Sequence, residues 1–432
     1  MALAKFARAS GLALLFVFVQ FLYGCASLSI DMHQTANELS SLHDAETVYS
    51  KVKHAQSNGK SAVEHQLNLG YMALVTGRFD EAISELEQAK QGMKKLDAVS
   101  VTESAGAVTI NETTRSYAGT PTDHTLVHAM LAMAYLMKGD IDGARVEVLQ
   151  SDVTMKKLAE RRPLSGQLAS MHSIAGLVYE LNGERDNAMI SYRHAYELLN
   201  KRSETIPEAL QLSLLKLSQA LGLGDEYRSY QQRFSERIVL QSKQKQQSVL
   251  VYFDGVISQM QSHNTTLWWD VDEVYLSVAL PRFPANTYHP RELRSNLASS
   301  PWRTEVIEDL ELRVREDLDA SMGRISATAL ARAANKYMMV KKAQEQDNIL
   351  GAVANVLTLV SEYADTRQWA LLPSSIQLVR ADAEHVQQLL NTVAKTPMTA
   401  DRTISASAAL ADDTFNVILL SGVAAHYFTA AY

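Results

Sequence analysis

The phrase Gly77-Arg78-Phe79-Asp80-Glu81-Ala82 returns downstream as Gly139-Asp140-Ile141-Asp142-Gly143-Ala144 and as Gly183-Glu184-Arg185-Asp186-Asn187-Ala188. A weaker copy, Gly222-Leu223-Gly224-Asp225-Glu226-Tyr227, follows. Around these phrases, from residue 31 to about 221, apolar residues recur at helical spacing. A glycine at the end of such a pattern stops the helix, because it takes a positive φ without a Cβ clash. The aspartate then suits the start of the next helix, and the small alanine lets that helix pack back on the first. Gly70 and Gly176 stand seven residues before the first and third glycines, and Ala132 before the second. Small side chains there allow two antiparallel helices to approach closely. The chain is therefore expected to open with stacked helix pairs.

The copies are spaced by 62, 44 and 39 residues. They resemble the tetratricopeptide repeat, whose unit is ~34 residues, arranged here as an irregular array. That resemblance implies a groove lined by the first helix of each pair. The matching positions are Leu67, Tyr71 and Leu74, then Ala129, Met133 and Leu136, then Ser173, Leu177 and Glu180. The Lys and Asn residues with which some such repeats clamp a peptide carboxylate are absent from these positions. A mostly apolar groove is filled either by the chain itself, the favoured reading, or by an apolar partner helix.

A polar stretch without periodicity, 241–247, marks a change of pattern. Beyond it, 249–253, 274–280, 403–410, 415–420 and 427–432 read as short strands, with Asp254-Gly255, Pro281 and Gly422 as turns or stops. Between them, 304–319, 327–344 and 348–363 read as helices. The expected fold is α+β: irregular tetratricopeptide-like helical repeats, then a smaller α+β domain with a mostly antiparallel sheet. The expected units are 1–24, 25–240 and 246–432.

Further residues carry a second resemblance. They are Asn111-Glu112, Tyr117-Ala118-Gly119 and Ala144, Val146 and Glu147. Then come Glu308-Asp309, Arg332 with Lys336, Asp365-Thr366-Arg367-Gln368-Trp369, Leu372-Pro373 and Gln377. In this order they resemble an uncharacterised family of Gram-negative tetratricopeptide-repeat outer-membrane lipoproteins. The resemblance implies a periplasm-facing lipoprotein, in some cases associated with activators of cell-wall synthases, and it supplies no catalytic residues. A loop on a rigid scaffold often carries binding, so Asn111 and Tyr117 join Tyr71, Met133 and Leu177 as candidate binding residues. Asp365 and Arg367 are two apart and would not meet on one helix face. They are expected to pair instead with Arg332, Lys336 or the Glu308-Asp309 helix in a buried ionic network.

The N-terminus reads as an export signal. Lys5 and Arg8 precede an apolar run, 11–22, too short to span a bilayer, which needs ~20 residues. Phe21-Leu22-Tyr23-Gly24-Cys25 then looks like a lipoprotein processing site, with lipid added to Cys25; Ala26 implies sorting to the outer membrane. Several acyl chains would anchor the protein stably where one is marginal. Cys25 is the single cysteine, which rules out a disulfide framework and a thiolate metal site. The formal charge of −7 gives no electrostatic footprint for nucleic acid. The segment 31–60 reads as a helix, with Leu39, Leu42, Val48 and Val52 as its apolar contacts.

No nucleophile elbow, phosphate loop or zinc-protease motif occurs. Ser57 to Lys60 lies in a turn, His124 and His128 lack a third ligand, and Asp140 to Gly143 belong to a repeat turn. The expected protein is a non-enzymatic interaction scaffold without cofactor or metal. Its expected partners are the membrane, through lipid, and envelope proteins, with a homo-oligomer as a further option. Two alternatives are a regulator of peptidoglycan synthesis, with Trp268-Trp269 stacking on sugar rings, and an envelope enzyme using Glu308, Arg332 and Asp365.

Overall fold

A computed structural model describes residues 30–57, 59–100, 115–244, 247–269, 274–294, 302–346, 363–395, 410, 414–424 and 426–432. Cys25, Asn111, the stretch 348–362 and the stretch 403–409 lie outside them. The helices run α1 (Met32–Leu42), α2 (Ala45–His54), α3 (Ala62–Val75), α4 (Phe79–Ser100), α5 (Pro121–Lys138), α6 (Ile141–Arg161) and α7 (Ala169–Leu181). They continue as α8 (Arg185–Arg202), α9 (Glu208–Ala220), α10 (Gly224–Arg233) and α11 (Glu236–Gln241).

The four repeat glycines all take positive φ: 77° at Gly77, 81° at Gly139, 74° at Gly183 and 69° at Gly222. In all four, the residue after the glycine reaches back to close the preceding helix. Arg78 N donates to Ala73 O at 2.8 Å, Asp140 N to Tyr135 O at 2.9 Å, Glu184 N to Tyr179 O at 2.8 Å and Leu223 N to Ser218 O at 2.8 Å. Ala82, Ala144 and Ala188 are fully buried where the paired helices meet. A Cβ on Gly70 would lie 2.6 Å from Leu86, and one on Gly176 would lie 2.5 Å from Tyr192. The aspartates correct the expectation in one respect: Asp80, Asp142 and Asp186 are the second residues of their helices, not the residues that begin them. They act on the helix dipole from the first turn. The cap of α6 is Asp140, whose Oδ1 accepts from Gly143 N at 2.8 Å. The segment 31–60 is two helices rather than one, broken at His43 with φ 52°. Leu39, Val48 and Val52 are buried, but the break leaves Leu42 exposed.

The second unit is built on β1 (Ser248–Asp254), β4 (Glu305–Asp309), β5 (Ser375–Ala381), β6 (Asn416–Ser421) and β7 (Tyr427–Ala431). They form a five-stranded sheet in the order β4-β5-β1-β6-β7. Only β1 and β6 pair in parallel; the other neighbours are antiparallel. A hairpin of β2 (Gln261–Trp269) and β3 (Val274–Arg282) stands apart from it. Helix α12 (Leu310–Gln346) follows β4, and α13 (Ala383–Lys395) follows β5 and packs on β1 and β5. Glu308 and Asp309 therefore end a strand, where a helix was expected. The helices expected at 304–319 and 327–344 are one continuous α12 that starts at Leu310.

Every residue of β1, β5 and β6 is buried, as strands covered on both faces are. Val249, Val251, Leu378 and Arg380 face Ser173, Leu177 and Tyr192 of the repeats. Alternation turns Leu250 and Tyr252 the other way, and both are buried there as well. The sheet thus fills the repeat groove. Tyr71 packs at 6.0 Å on Phe253, Phe79 meets Phe428 edge-on at 5.3 Å, and Asn68 Oδ1 accepts Leu371 N at 2.8 Å. Tyr71, Met133 and Leu177, read from the sequence as candidate binding residues, lie under this sheet with at most 3 % exposure. They are core, because the chain's own strands satisfy the apolar groove.

Candidate functional site

Where the repeats meet the second unit, a cleft of about 740 Å³ opens, with three pieces of chain supplying most of its lining. One is the irregular segment 115–120 that leads into α5. A second is the first half of α12, and the third is the irregular segment 363–369 before β5.

The start of α5 sets the geometry of the first piece. Pro121 stands at the first helical position, and Thr120 caps the helix in a reciprocal box with Asp123. Asp123 Oδ2 also accepts the Tyr117 hydroxyl at 2.6 Å, which draws the segment onto the helix end. Asp317, from α12, accepts Thr122 N at 2.8 Å and so caps the same helix from the other unit. Burial raises both carboxyls, Asp123 to about 6, while the Tyr117 and Thr120 donors pull Asp123 down.

Arg367 fastens the third piece to the first. Its Nε and Nη2 fork onto Asp365 at 2.8 and 2.6 Å. Nη1 donates to Lys60 O at 3.0 Å, and Nη2 to Arg115 O at 2.8 Å. Burial opposes the guanidinium charge, and the Asp365 pair outweighs it, raising its pKa. The expected pairing of Asp365 and Arg367 with Arg332, Lys336 or Glu308-Asp309 is corrected. The segment is irregular rather than helical, so residues two apart turn toward each other. Behind the pair, burial holds the Glu64 carboxyl at about 7 against the pull of Arg367.

The apolar wall includes Ile257, Met260, Phe283, Leu318 and Trp369. Trp369 is 1 % exposed, and its indole Nε1 has no hydrogen-bond partner among the described residues. Arg115 and Arg324 line the cleft without an ion pair or side-chain hydrogen bond among the described residues. Among the described residues the lining's titratable groups are carboxylates, Tyr117 and arginines.

Of the residues singled out in the sequence, Tyr117, Asp365, Arg367 and Trp369 converge on this cleft; Arg332 and Lys336 sit farther along α12 and do not line it. Glu308 is fully buried between Arg313, at 3.1 Å, and Arg202, at 3.6 Å. Burial raises its carboxyl to about 7 against both arginines. It does not line the cleft, so Glu308, Arg332 and Asp365 are not gathered into one site. His128 is bound at 2.7 Å to Glu147, which also takes Lys90 at 2.8 Å, inside the repeat packing. Trp268 and Trp269 end β2. Sequence reading missed Arg115, Asp123, Asp317 and Arg324. Thr120-Pro121 with Asp123 three on is a legible capping pattern, whereas nothing local marks Asp317 or Arg324.

No protein-family model matches the chain, and no curated protein does. Among solved structures the chain is similar to the apo form of RapI, with 12% identity and a TM-score of 0.36, over 50% of this chain and 54% of that one. It thus spans about half the length of RapI. It is also similar to MamA, with 16% identity and a TM-score of 0.31, over 49% of this chain and 90% of that one. A thermophilic TPR protein of Thermus thermophilus overlays with 18% identity and a TM-score of 0.27, over 49% and 90%.

Proposed function

We propose that this chain is a lipid-anchored, periplasm-facing outer-membrane protein that serves as an interaction scaffold in an envelope complex. The observation that carries the scaffold reading is the closure of the repeat groove by the chain's own sheet. Closure joins repeats and sheet through one continuous core and leaves an open concave cleft at their seam. A surface of that kind presents fixed side chains to a partner with little ordering cost. The anchor and compartment rest on the Cys25 signal and on the residues that resemble the Gram-negative lipoprotein family.

Two experiments test this. A photo-crosslinking amino acid at Leu318, in the cleft wall, is expected to give a discrete protein adduct in cells, and one at exposed Leu149 is not. Absence of an adduct at every cleft position overturns the scaffold reading. Cys25→Ser is expected to leave the outer-membrane fraction, and a variant that stays there overturns the lipid tether.

A further inference from the structure

The charges in the cleft are unevenly committed. Its carboxylates are Asp97, Asp123, Asp317 and Asp365. Asp97 sits 3.9 Å from His124, Asp123 holds Tyr117 and Thr120, Asp317 holds Thr122 N, and Asp365 holds Arg367. Arg367 is itself consumed by that pair and two backbone carbonyls. Arg115 and Arg324 alone among the lining's arginines have side chains with no partner among the described residues. The cleft therefore offers two guanidinium groups with open donors beside an apolar wall.

We infer that the cleft binds a short extended peptide segment with apolar side chains and one internal Asp or Glu. The carboxylate meets Arg115 and Arg324, and the apolar side chains pack on Phe283, Leu318 and Met260. A volume of about 740 Å³ falls inside the ~300–1,000 Å³ typical of small-ligand clefts. A peptide backbone finds hydroxyl groups at Ser116 and Ser321, which an acyl chain would have to dehydrate without return. An internal acid fits better than a chain terminus. Terminal carboxylates are captured by free backbone N–H groups, and here Tyr117 N is spent on Lys60 O and Thr120 N on Asp123. The inference rests on the scaffold reading and names the chemistry that reading would recognise.

The test uses the mature chain and a fluorescein-labelled pool of N-acetylated, C-amidated octapeptides drawn from Leu, Val, Phe and Ser with one internal Glu. Anisotropy is expected to show saturable binding that weakens with salt. The pool with Gln for Glu is expected to bind about tenfold more weakly. The double variant Arg115→Ala, Arg324→Ala is expected to lose about the same factor for the Glu pool, with an unchanged melt, and to bind both pools alike. Leu318→Glu is expected to abolish binding of both. Three results overturn the inference: equal binding of the two pools, an unaffected double arginine variant, or no binding up to about 1 mM. Binding of oleate where neither pool binds assigns the cleft to a lipid and overturns it too. Because the peptides need no cellular complex, their failure beside intact crosslinks at Leu318 refutes this inference alone. Absent crosslinks beside peptide binding refute the scaffold instead.

Discussion

Arg380 is a deeply buried charge at the seam. Its guanidinium, 1 % exposed, donates from β5 to Glu180 on α7 at 2.8 Å and to Ser213 on α9 at 2.9 Å. Breaking such a pair leaves an uncompensated buried charge and costs about 3–5 kcal/mol. Glu180→Gln is therefore expected to shift the urea midpoint by roughly that cost. Glu180→Leu with Arg380→Met is expected to be milder than either single change, because both charges leave together. Glu64 makes a second prediction. Its folded carboxyl stands at about 7, above the ~4.3 of an unfolded chain. The folded state favours the protonated form, so this contribution is whole below the unfolded value and is lost as pH rises through about 7. Between pH 5 and 8 the wild type is expected to lose stability to denaturant, and Glu64→Gln to lose less of it.

Among the elements, the repeat turns divide by what stands over them. Gly77 and Gly183 both have positive φ, which costs an L-residue roughly 1–2 kcal/mol. Gly183 faces open space, but a Cβ on Gly77 would lie 2.4 Å from the Phe428 ring of β7. Gly183→Ala is expected to cost only the backbone term. Gly77→Ala is expected to cost about 1–3 kcal/mol more from overpacking, read as a lower melting temperature. One turn phrase thus does two jobs. The phrase itself sets the turn, while the load on it comes from a strand more than three hundred residues later in the chain.

Across the whole molecule, the sheet is the filling of the repeats. A fragment that stops at residue 244 would uncover Tyr71, Leu177, Met133 and their neighbours. Each Å² of apolar surface so exposed is worth roughly 25 cal/mol. The fragment is expected to bind a hydrophobic dye and self-associate in light scattering, where the mature chain does not. Arg367 shows the same dependence at the cleft. Its fork joins Asp365 to carbonyls at Lys60 and Arg115, about 300 and 250 residues away in sequence.

What the sequence determined by itself was local. The helix pairs, their glycine turns and the buried alanines follow from period and residue size, and β1, β3, β6 and β7 from apolar runs with turn residues at their ends. Tyr117, Asp365, Arg367 and Trp369 stood out as residues and proved to share one cleft. The tertiary structure alone decided the rest. β5 carries Gln377 and Arg380 among its apolar residues, and the groups that satisfy them inside the protein, Thr304 and Glu180, come from distant elements. The helical expectation for Glu308-Asp309 failed because a charged strand end and a helix start look alike in a short window. That the groove is core, and that Asp317 and Arg324 belong to the cleft, depends on where one unit lands on the other. Periodicity reports which face of an element is apolar; it carries no information about which distant element will cover it.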